Sequence, residues 1–174
     1  MKKILILSAS LLFIFASCSN KKDDDGGMSA TAKKNIEAVR TVTKAFDSGD
    51  VSGIDAVIAD DFVDHTPNGD MGRDSLKAMI TMMHGKGLDM KTETLQELAN
   101  DEYAICRYKF SGNGDGSMGM PKGPYEFMAV EVVKFNKDSK AVEHWEYMDA
   151  KDMMKMMAPP AKDNMSPTDT TSHM

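Results

Sequence analysis

The stretch Tyr125–Phe135, YEFMAVEVVKF, alternates between apolar and polar side chains and decides the fold of this chain. Its two-residue period is typical of a β-strand with one buried face. That face carries Tyr125, Phe127, Ala129, Glu131, Val133 and Phe135. An unpaired buried carboxylate is costly, so Glu131 must be partnered, hydrated in a cavity or protonated with a raised pKa. Each outcome places Glu131 in or near a pocket, unless strand twist turns it to solvent or the apolar face of this strand is not the face that lines the pocket.

Three neighbouring segments share this alternation and complete a predicted sheet. They are Lys91–Leu98, Tyr103–Ser111 and Lys140–Met148. Short polar turns join neighbouring strands, which favours antiparallel pairing. The glycine-rich segment 112–123 is expected to form a flexible rim loop, because it lacks the ligand spacing and closing Glu of a calcium-binding EF-hand.

Upstream of the sheet the hydrophobic period is helical. A first helix is predicted from Ser29 to about Phe46, a short second helix contains Ile54, Val57 and Ile58, and a third runs from about Arg73 to His84. A short strand is expected at 62–67, since Pro67 disfavours a helical conformation of the residue before it. A short Met-rich helix follows the sheet over 149–157. Three helices followed by four strands predict an α+β domain with a mostly antiparallel sheet curling over the helices.

The first eighteen residues read as a signal peptide with a lipid-attachment site. Lys2 and Lys3 form a basic start, an apolar core of about a dozen residues follows, and Ala16-Ser17 precede Cys18. The pattern resembles a bacterial lipobox, in which cleavage after residue 17 leaves Cys18 acylated. A secretory signal with an incidental cysteine is the alternative.

The remaining organisation follows from composition. Residues 18–28 are polar and are expected to form a flexible tether, whose Lys-then-Asp run also resembles the surface-export signal of Bacteroidetes lipoproteins. The folded domain is predicted to span 29–157, followed by a disordered tail over 158–174. We therefore expect a lipid-anchored protein of the bacterial cell envelope, in the outer membrane, with periplasmic and surface-exposed orientations both open.

Charge and cysteine usage exclude several classes of protein. After cleavage the chain has 19 basic and 27 acidic side chains, a net charge of about -8. Nucleic-acid binding needs clustered Lys and Arg, so no nucleic-acid partner is expected. Cys106 lies in an apolar stretch and is predicted to be a small buried hydrophobe without a disulfide. The histidine spacings typical of metal sites are absent, so we predict no metal.

Two histidines are candidates for acid/base chemistry, because imidazole exchanges protons near neutral pH. His65 precedes Pro67, and its pocket and structural interpretations are equally open. Alternation along the last strand places Glu143, Trp145 and Tyr147 on one face and Val142, His144, Glu146 and Met148 on the other. For His144 the sequence favours a structural or supporting role.

Four motifs in this order resemble the SnoaL-like polyketide cyclase group of the nuclear transport factor 2-like superfamily. They are Gly49-Asp50, the stretch ADDFVDHTP at 59–67, Gly119-Met120-Pro121 with Gly123, and VEHWEYMD at 142–149. The resemblance covers roughly 35–157 and implies a cone of about three helices on a curved, mostly antiparallel sheet around a pocket. It also implies chemistry without a cofactor, and dimers formed through the sheet.

The same resemblance bears on individual residues. Glu131 matches the position where the related ketosteroid isomerases hold a hydrogen-bonding acid. His65-Thr66 match the position of the isomerase base, where this chain has no carboxylate. Asp64 lies next to that position and is expected to face away. The cyclase base belongs on the last strand, between Glu143 and Glu146.

Three functional hypotheses follow. The first is an envelope lipoprotein whose pocket binds a small apolar or amphipathic molecule. The alternative is a cyclase, isomerase or hydratase that uses Glu131 and His65 as its acid/base pair, within a pocket formed by Trp145, Phe127, Tyr125, Glu143 and Tyr147. The third is an interaction module that dimerises through its open sheet.

Overall fold

The computed structural model describes residues 27–117 and 120–157. The predicted signal peptide, Cys18, most of the tether and the tail over 158–174 lie outside the described residues. The described residues form ten elements: α1 Ala30–Ser48, α2 Ile54–Val57, β1 Ile58–Thr66, β2 Gly69–Met71, α3 Arg73–Gly85, β3 Asp89–Ala99, β4 Tyr103–Asp115, β5 Lys122–Phe135, β6 Ala141–Met148 and α4 Ala150–Met157.

The first helix begins and ends where its sequence supplies caps. The Ser29 side chain accepts a hydrogen bond from the backbone N–H of Ala32, which satisfies one of the unpaired donors of the first turn. Gly49 closes the helix in the left-handed region at φ 76°. Ile36 and Val39 are buried on the face that packs toward β3 and β4. The predicted first helix is thus confirmed, with its end two residues later than expected.

The six strands form one curved, unclosed mixed sheet in the order β2-β1-β6-β5-β4-β3. The α+β class and the packing of the helices on the sheet are confirmed. Two features were not predicted: β2 forms a hairpin with β1, and β1 lies parallel to β6. The predicted extent of the second helix was wrong, because Ile58 is already the first residue of β1. Ile58 and Phe62 pack into the core from this strand, which favours the extended conformation.

The expected rim loop is also shorter than predicted. Gly112 pairs with Tyr125 and Gly114 pairs with Gly123, so β4 and β5 extend well into the glycine-rich segment. A Cβ atom on Gly114 would overlap the carbonyl oxygen of Pro121, so the close approach of the two chains requires glycine there. The glycines therefore let a long hairpin continue instead of marking a flexible loop.

The core lies between the helices and the inner face of the sheet. Ile36 and Val39 from α1 and Ile80 from α3 are buried against sheet residues such as Phe127 and Phe135. Cys106 is fully buried among them, as predicted, and burial raises the pKa of its thiol to about 11. Within residues 27–117 and 120–157, no helix is long and apolar enough to cross a membrane.

Candidate active site

The inner face of the sheet and the helices enclose a cavity of about 670 Å³. This volume is large enough for a small organic molecule. Most of the wall is apolar, formed by Phe46, Phe62, Phe110, Phe127, Phe135, Met71, Met79, Met83, Met90, Met148 and Met153 with smaller aliphatic residues. Among the described residues, five ionisable side chains on three adjacent strands interrupt this wall: Asp64, His65, Glu131, His144 and Glu146.

Asp64 and His144 form the best-defined contact of the cavity. The parallel register of β1 and β6 sets them side by side, and the His144 Nδ1 atom lies 2.8 Å from an Asp64 carboxylate oxygen. The Asp64 side chain is only 10% exposed. A carboxylate that accepts a hydrogen bond from Nδ1 fixes the orientation of the imidazole and directs Nε2 toward the cavity.

Glu131 lies on the far side of that imidazole. Its carboxylate oxygen is 3.9 Å from the His144 Nε2 atom, a distance beyond a direct hydrogen bond. The Glu131 side chain retains 19% exposure, and that surface faces the cavity. Desolvation by the apolar wall raises the pKa of Glu131 to about 7, opposed by the charge of His144 and reinforced by Glu146 and Asp64. Glu131 is therefore poised between its acid and its base forms near neutral pH.

The other two titratable groups respond to the same surroundings. Burial opposes the charged form of His144, but the hydrogen bond to Asp64 and the neighbouring carboxylates outweigh it, so the His144 pKa is raised. Glu146 pairs directly with Glu131 across β5 and β6. Desolvation raises the pKa of Glu146 as well, and Asp64 adds to that effect. The cavity thus gathers three groups whose pKa values are raised by their surroundings.

His65 was predicted to pair with Glu131, and the structure does not bring them together. His65 borders the cavity, but its ring stacks on Trp145 at a centroid distance of 4.9 Å. Its Nδ1 atom lies 3.0 Å from Asp70 and its Nε2 atom 3.4 Å from Glu143. The residue that meets Glu131 is His144, because it shares the inward face of β6.

The predicted pocket residues divide between the two faces of the sheet. Phe127 lines the cavity, and Tyr125 packs in the core beside it with ring centroids 6.1 Å apart. Glu143, Trp145 and Tyr147 were expected in the pocket but lie on the opposite face of β6 from His144, since neighbouring side chains alternate along a strand. Glu143 binds Lys134 there at 2.8 Å.

Sequence reasoning missed Asp64 and undervalued His144 and Glu146. The alternation of the last strand already grouped His144 with Glu146, but it could not tell which face was inward. Asp64 was expected to face away, yet it is buried, because β1 begins at Ile58 and joins the sheet beside β6. No local signal in the sequence predicts a parallel pairing between strands about eighty residues apart.

Within the part of the chain that the structure describes, no group of three or more His, Cys, Asp or Glu side chains has an arrangement suited to a metal ion. The expectation of chemistry without a metal or cofactor stays a prediction.

Helices packed on a curved, unclosed mixed sheet around a cavity match the nuclear transport factor 2-like fold. The family model described as SnoaL-like polyketide cyclase matches residues 36–157. The chain belongs to this family. A comparison with curated proteins gave no significant match.

Solved structures with a similar fold include proteins with different described functions. IdmH of Streptomyces antibioticus, a proposed polyketide cyclase, is 20% identical with a TM-score of 0.56, over 71% of this chain and 97% of its own. An epoxide hydrolase of the LEH-like type from M. tuberculosis is 17% identical with a TM-score of 0.59, over 72% and 90%. TsrD of Streptomyces laurentii is 18% identical with a TM-score of 0.61, over 72% and 95%. At these identities the likeness concerns the fold.

Proposed function

We propose that this chain is a cofactor-independent enzyme that moves protons on a small, mainly apolar molecule, in a reaction of the cyclase or isomerase type. The contact series Asp64, His144 and Glu131 inside an apolar cavity carries the proposal. General acid/base catalysis works best when the pKa of the catalytic group lies near the working pH. The Glu131 pKa of about 7 meets this condition.

In this proposal His144 and Glu131 have different roles. Asp64 holds the imidazole of His144, whose raised pKa favours the protonated form and lets Nε2–H donate to an oxygen of the substrate. Glu131, in its ionised form, takes a proton from the carbon next to the carbonyl group whose oxygen accepts that hydrogen bond. The electron pair of the broken C–H bond forms an enol or enolate, which can then attack a second carbonyl. Where a carbon–carbon double bond is conjugated with the enolate, it can instead be protonated at the far end of that double bond.

Proton exchange on simple ketones tests this proposal without knowledge of the natural substrate. The full-length chain is mixed with acetophenone or propiophenone in heavy water, and loss of the α-proton signal is followed by NMR. We expect exchange that saturates with ketone and falls about 100-fold or more in Glu131→Gln. Glu126→Gln is the matched control, because Glu126 is exposed on the same strand. Equal rates in both variants would remove Glu131 from the mechanism.

A second candidate function is binding without turnover, and the predominance of Phe and Met in the cavity wall favours it. In that case Glu131→Gln leaves ligand affinity nearly intact, and no ketone exchanges faster than in buffer. Mass spectrometry of small molecules that co-purify with the protein would identify the ligand under either function.

We further propose that the protein acts as an envelope lipoprotein anchored through Cys18. The basic start, the apolar core and Ala16-Ser17 before Cys18 support this location. Incorporation of radiolabelled palmitate by the wild type, and its loss in Cys18→Ala, is the expected result. Protease treatment of whole cells separates the leaflets, since only a surface-displayed domain would be digested.

The outer face of the sheet supports a homodimer. A row of paired residues, Leu98, Ile105, Val132 and Trp145, crosses four strands, and Leu98 and Ile105 are largely exposed. Burying such a row against its copy would remove apolar surface from water. Analytical ultracentrifugation of the full-length protein should give a dimer for the wild type and a monomer for Ile105→Glu. A wild-type protein that stays monomeric at every protein concentration tested would exclude the homodimer.

A further inference from the structure

The cavity wall contains methionine side chains that have no role in the proposed reaction. Six methionines line it: Met71, Met79, Met83, Met90, Met148 and Met153. Met153 differs from Met83 because it is 45% exposed, whereas Met83 is buried. Met153 is therefore accessible to solvent and also lines the cavity.

From this placement we propose that Met153 is a modification site, where oxidation by hydrogen peroxide weakens binding of the cavity's ligand. In the reaction the peroxide O–O bond breaks, one oxygen atom bonds to the methionine sulfur, and the other leaves as water. Sulfur is oxidised and peroxide is reduced. The product, methionine sulfoxide, is polar, and cellular reductases can reverse it.

The structure holds Met153 at the cavity through its neighbour in α4. The Asp152 carboxylate accepts a hydrogen bond from the backbone N–H of Met128 in β5 at 3.2 Å, and the Lys155 ammonium binds it at 2.7 Å. These two contacts also lower the pKa of Asp152, so its carboxylate stays ionised at neutral pH. Docking of α4 on β5 therefore keeps the adjacent side chain of Met153 at the cavity wall.

The described cysteine does not compete for peroxide. A thiol reacts through its thiolate form, and burial raises the pKa of Cys106 to about 11. Cys106 is also fully buried. Oxidation within the described domain should therefore begin at exposed methionines.

The consequence for ligand binding follows from the composition of the wall. A sulfoxide oxygen is a strong hydrogen-bond acceptor, and the cavity wall that Met153 helps to form is mainly apolar. A polar group that loses water without gaining a partner costs free energy, so the oxidised cavity should hold an apolar molecule less tightly. This inference rests on the proposed function, because it requires that the cavity binds such a molecule.

Adjacent residues in α4 supply a matched control. Met154 is 67% exposed and does not line the cavity. Its oxidation should be at least as fast as that of Met153 and should leave binding unchanged. Leucine removes the sulfur of either residue with little change in volume or polarity, so Met153→Leu and Met154→Leu are both expected to fold normally.

The experiment uses the full-length chain in detergent micelles, with naphthol as the ligand and equilibrium dialysis against empty micelles. Peptide mass spectrometry after graded peroxide treatment maps each oxygen added, at Cys18 as well as at every methionine. We expect the naphthol Kd to rise about tenfold in step with oxidation at Met153. Met153→Leu should resist this loss, Met154→Leu should not, and a methionine sulfoxide reductase should restore binding.

Two results would overturn the inference while leaving the proposed function intact. One is unchanged affinity after Met153 has been oxidised, and the other is an equal loss of affinity in Met153→Leu. Failure of the untreated protein to bind naphthol would instead contradict the proposed apolar cavity site, and this inference with it.

Discussion

His65 and His144 are both in the sheet and both contact a carboxylate, but they differ in how far that contact is buried. His65 and His144 each lie beside a carboxylate, at 3.0 Å from Asp70 and 2.8 Å from Asp64. The partner of His65 is exposed on the β1–β2 hairpin, whereas the partner of His144 is buried in the cavity wall. Solvent screens the first pair and is largely excluded from the second. Burial of the partner therefore decides which histidine is suited to chemistry.

The largest expected difference between the two histidines is in catalysis. His144→Gln should lower the rate of ketone proton exchange about 100-fold or more, because it removes the donor that Asp64 orients toward the substrate. His65→Gln should change that rate by less than about threefold, since its ring nitrogens bind Asp70 and Glu143. NMR of the exchange reaction measures both variants. A larger loss in His65→Gln would reverse the comparison.

Their carboxylate partners should differ in stability. Asp64→Ala leaves a buried imidazole without its partner and should lower the free energy of unfolding by about 3 kcal/mol. Asp70→Ala breaks a solvent-exposed contact and should have no resolvable effect. Urea denaturation followed by circular dichroism gives both values. Similar losses in the two variants would show that burial does not separate the sites.

The pH dependence of stability sharpens the description of the cavity. The pKa of Glu131 is about 7 in the folded protein against an ordinary value of 4.5, so the folded state binds this proton more tightly than the unfolded chain. Stability should therefore fall by about 2 kcal/mol between about pH 5 and about pH 8. The raised pKa values of His144 and Glu146 act in the same direction.

Urea midpoints at those two pH values test this expectation. Glu131→Gln cannot ionise, so its stability should depend less on pH than that of the wild type. Glu126→Gln should retain the wild-type dependence. An unchanged slope in Glu131→Gln would assign the pH dependence to other groups.

The smallest expected effect is the response of the two imidazoles to salt. The hydrogen bond to Asp70 raises the pKa of His65, with a further contribution from Glu143. Salt at about 1 M screens exposed charges beyond about 3 Å, so the His65 pKa should fall toward its ordinary value. The His144 pKa should move less, because Asp64, its hydrogen-bond partner, is buried. NMR titration of the imidazole protons measures both pKa values. Equal changes with salt would contradict the distinction between an exposed and a buried pair.

Several parts of the fold were predictable because their signals are local. The cap at Ser29 and the left-handed glycine at Gly49 bound the first helix within two residues of its observed end. The alternation of 125–135 identified a strand with Glu131 among apolar neighbours, and Glu131 does lie in the wall of a cavity. These patterns report on each residue's own conformation and on which residues share a face.

Other parts depend on segments that are far apart in sequence. The start of β1 at Ile58 was missed because the helical pattern of α2 runs into it without a turn signal. The glycine-rich segment was predicted to be a loop because glycine usually marks turns, yet its glycines allow two strands to approach closely. The inward face of β6 could not be chosen from alternation alone.

The amino-acid sequence by itself determined the α+β class, the helices, the strand periodicity and the enclosure of one carboxylate at position 131. The tertiary structure alone decided that His144, held by Asp64, meets that carboxylate and that His65 does not. The physical reason is that side-chain alternation is a property of a single strand, whereas the contacts of the site come from the register between strands. The parallel pairing of β1 with β6 sets that register.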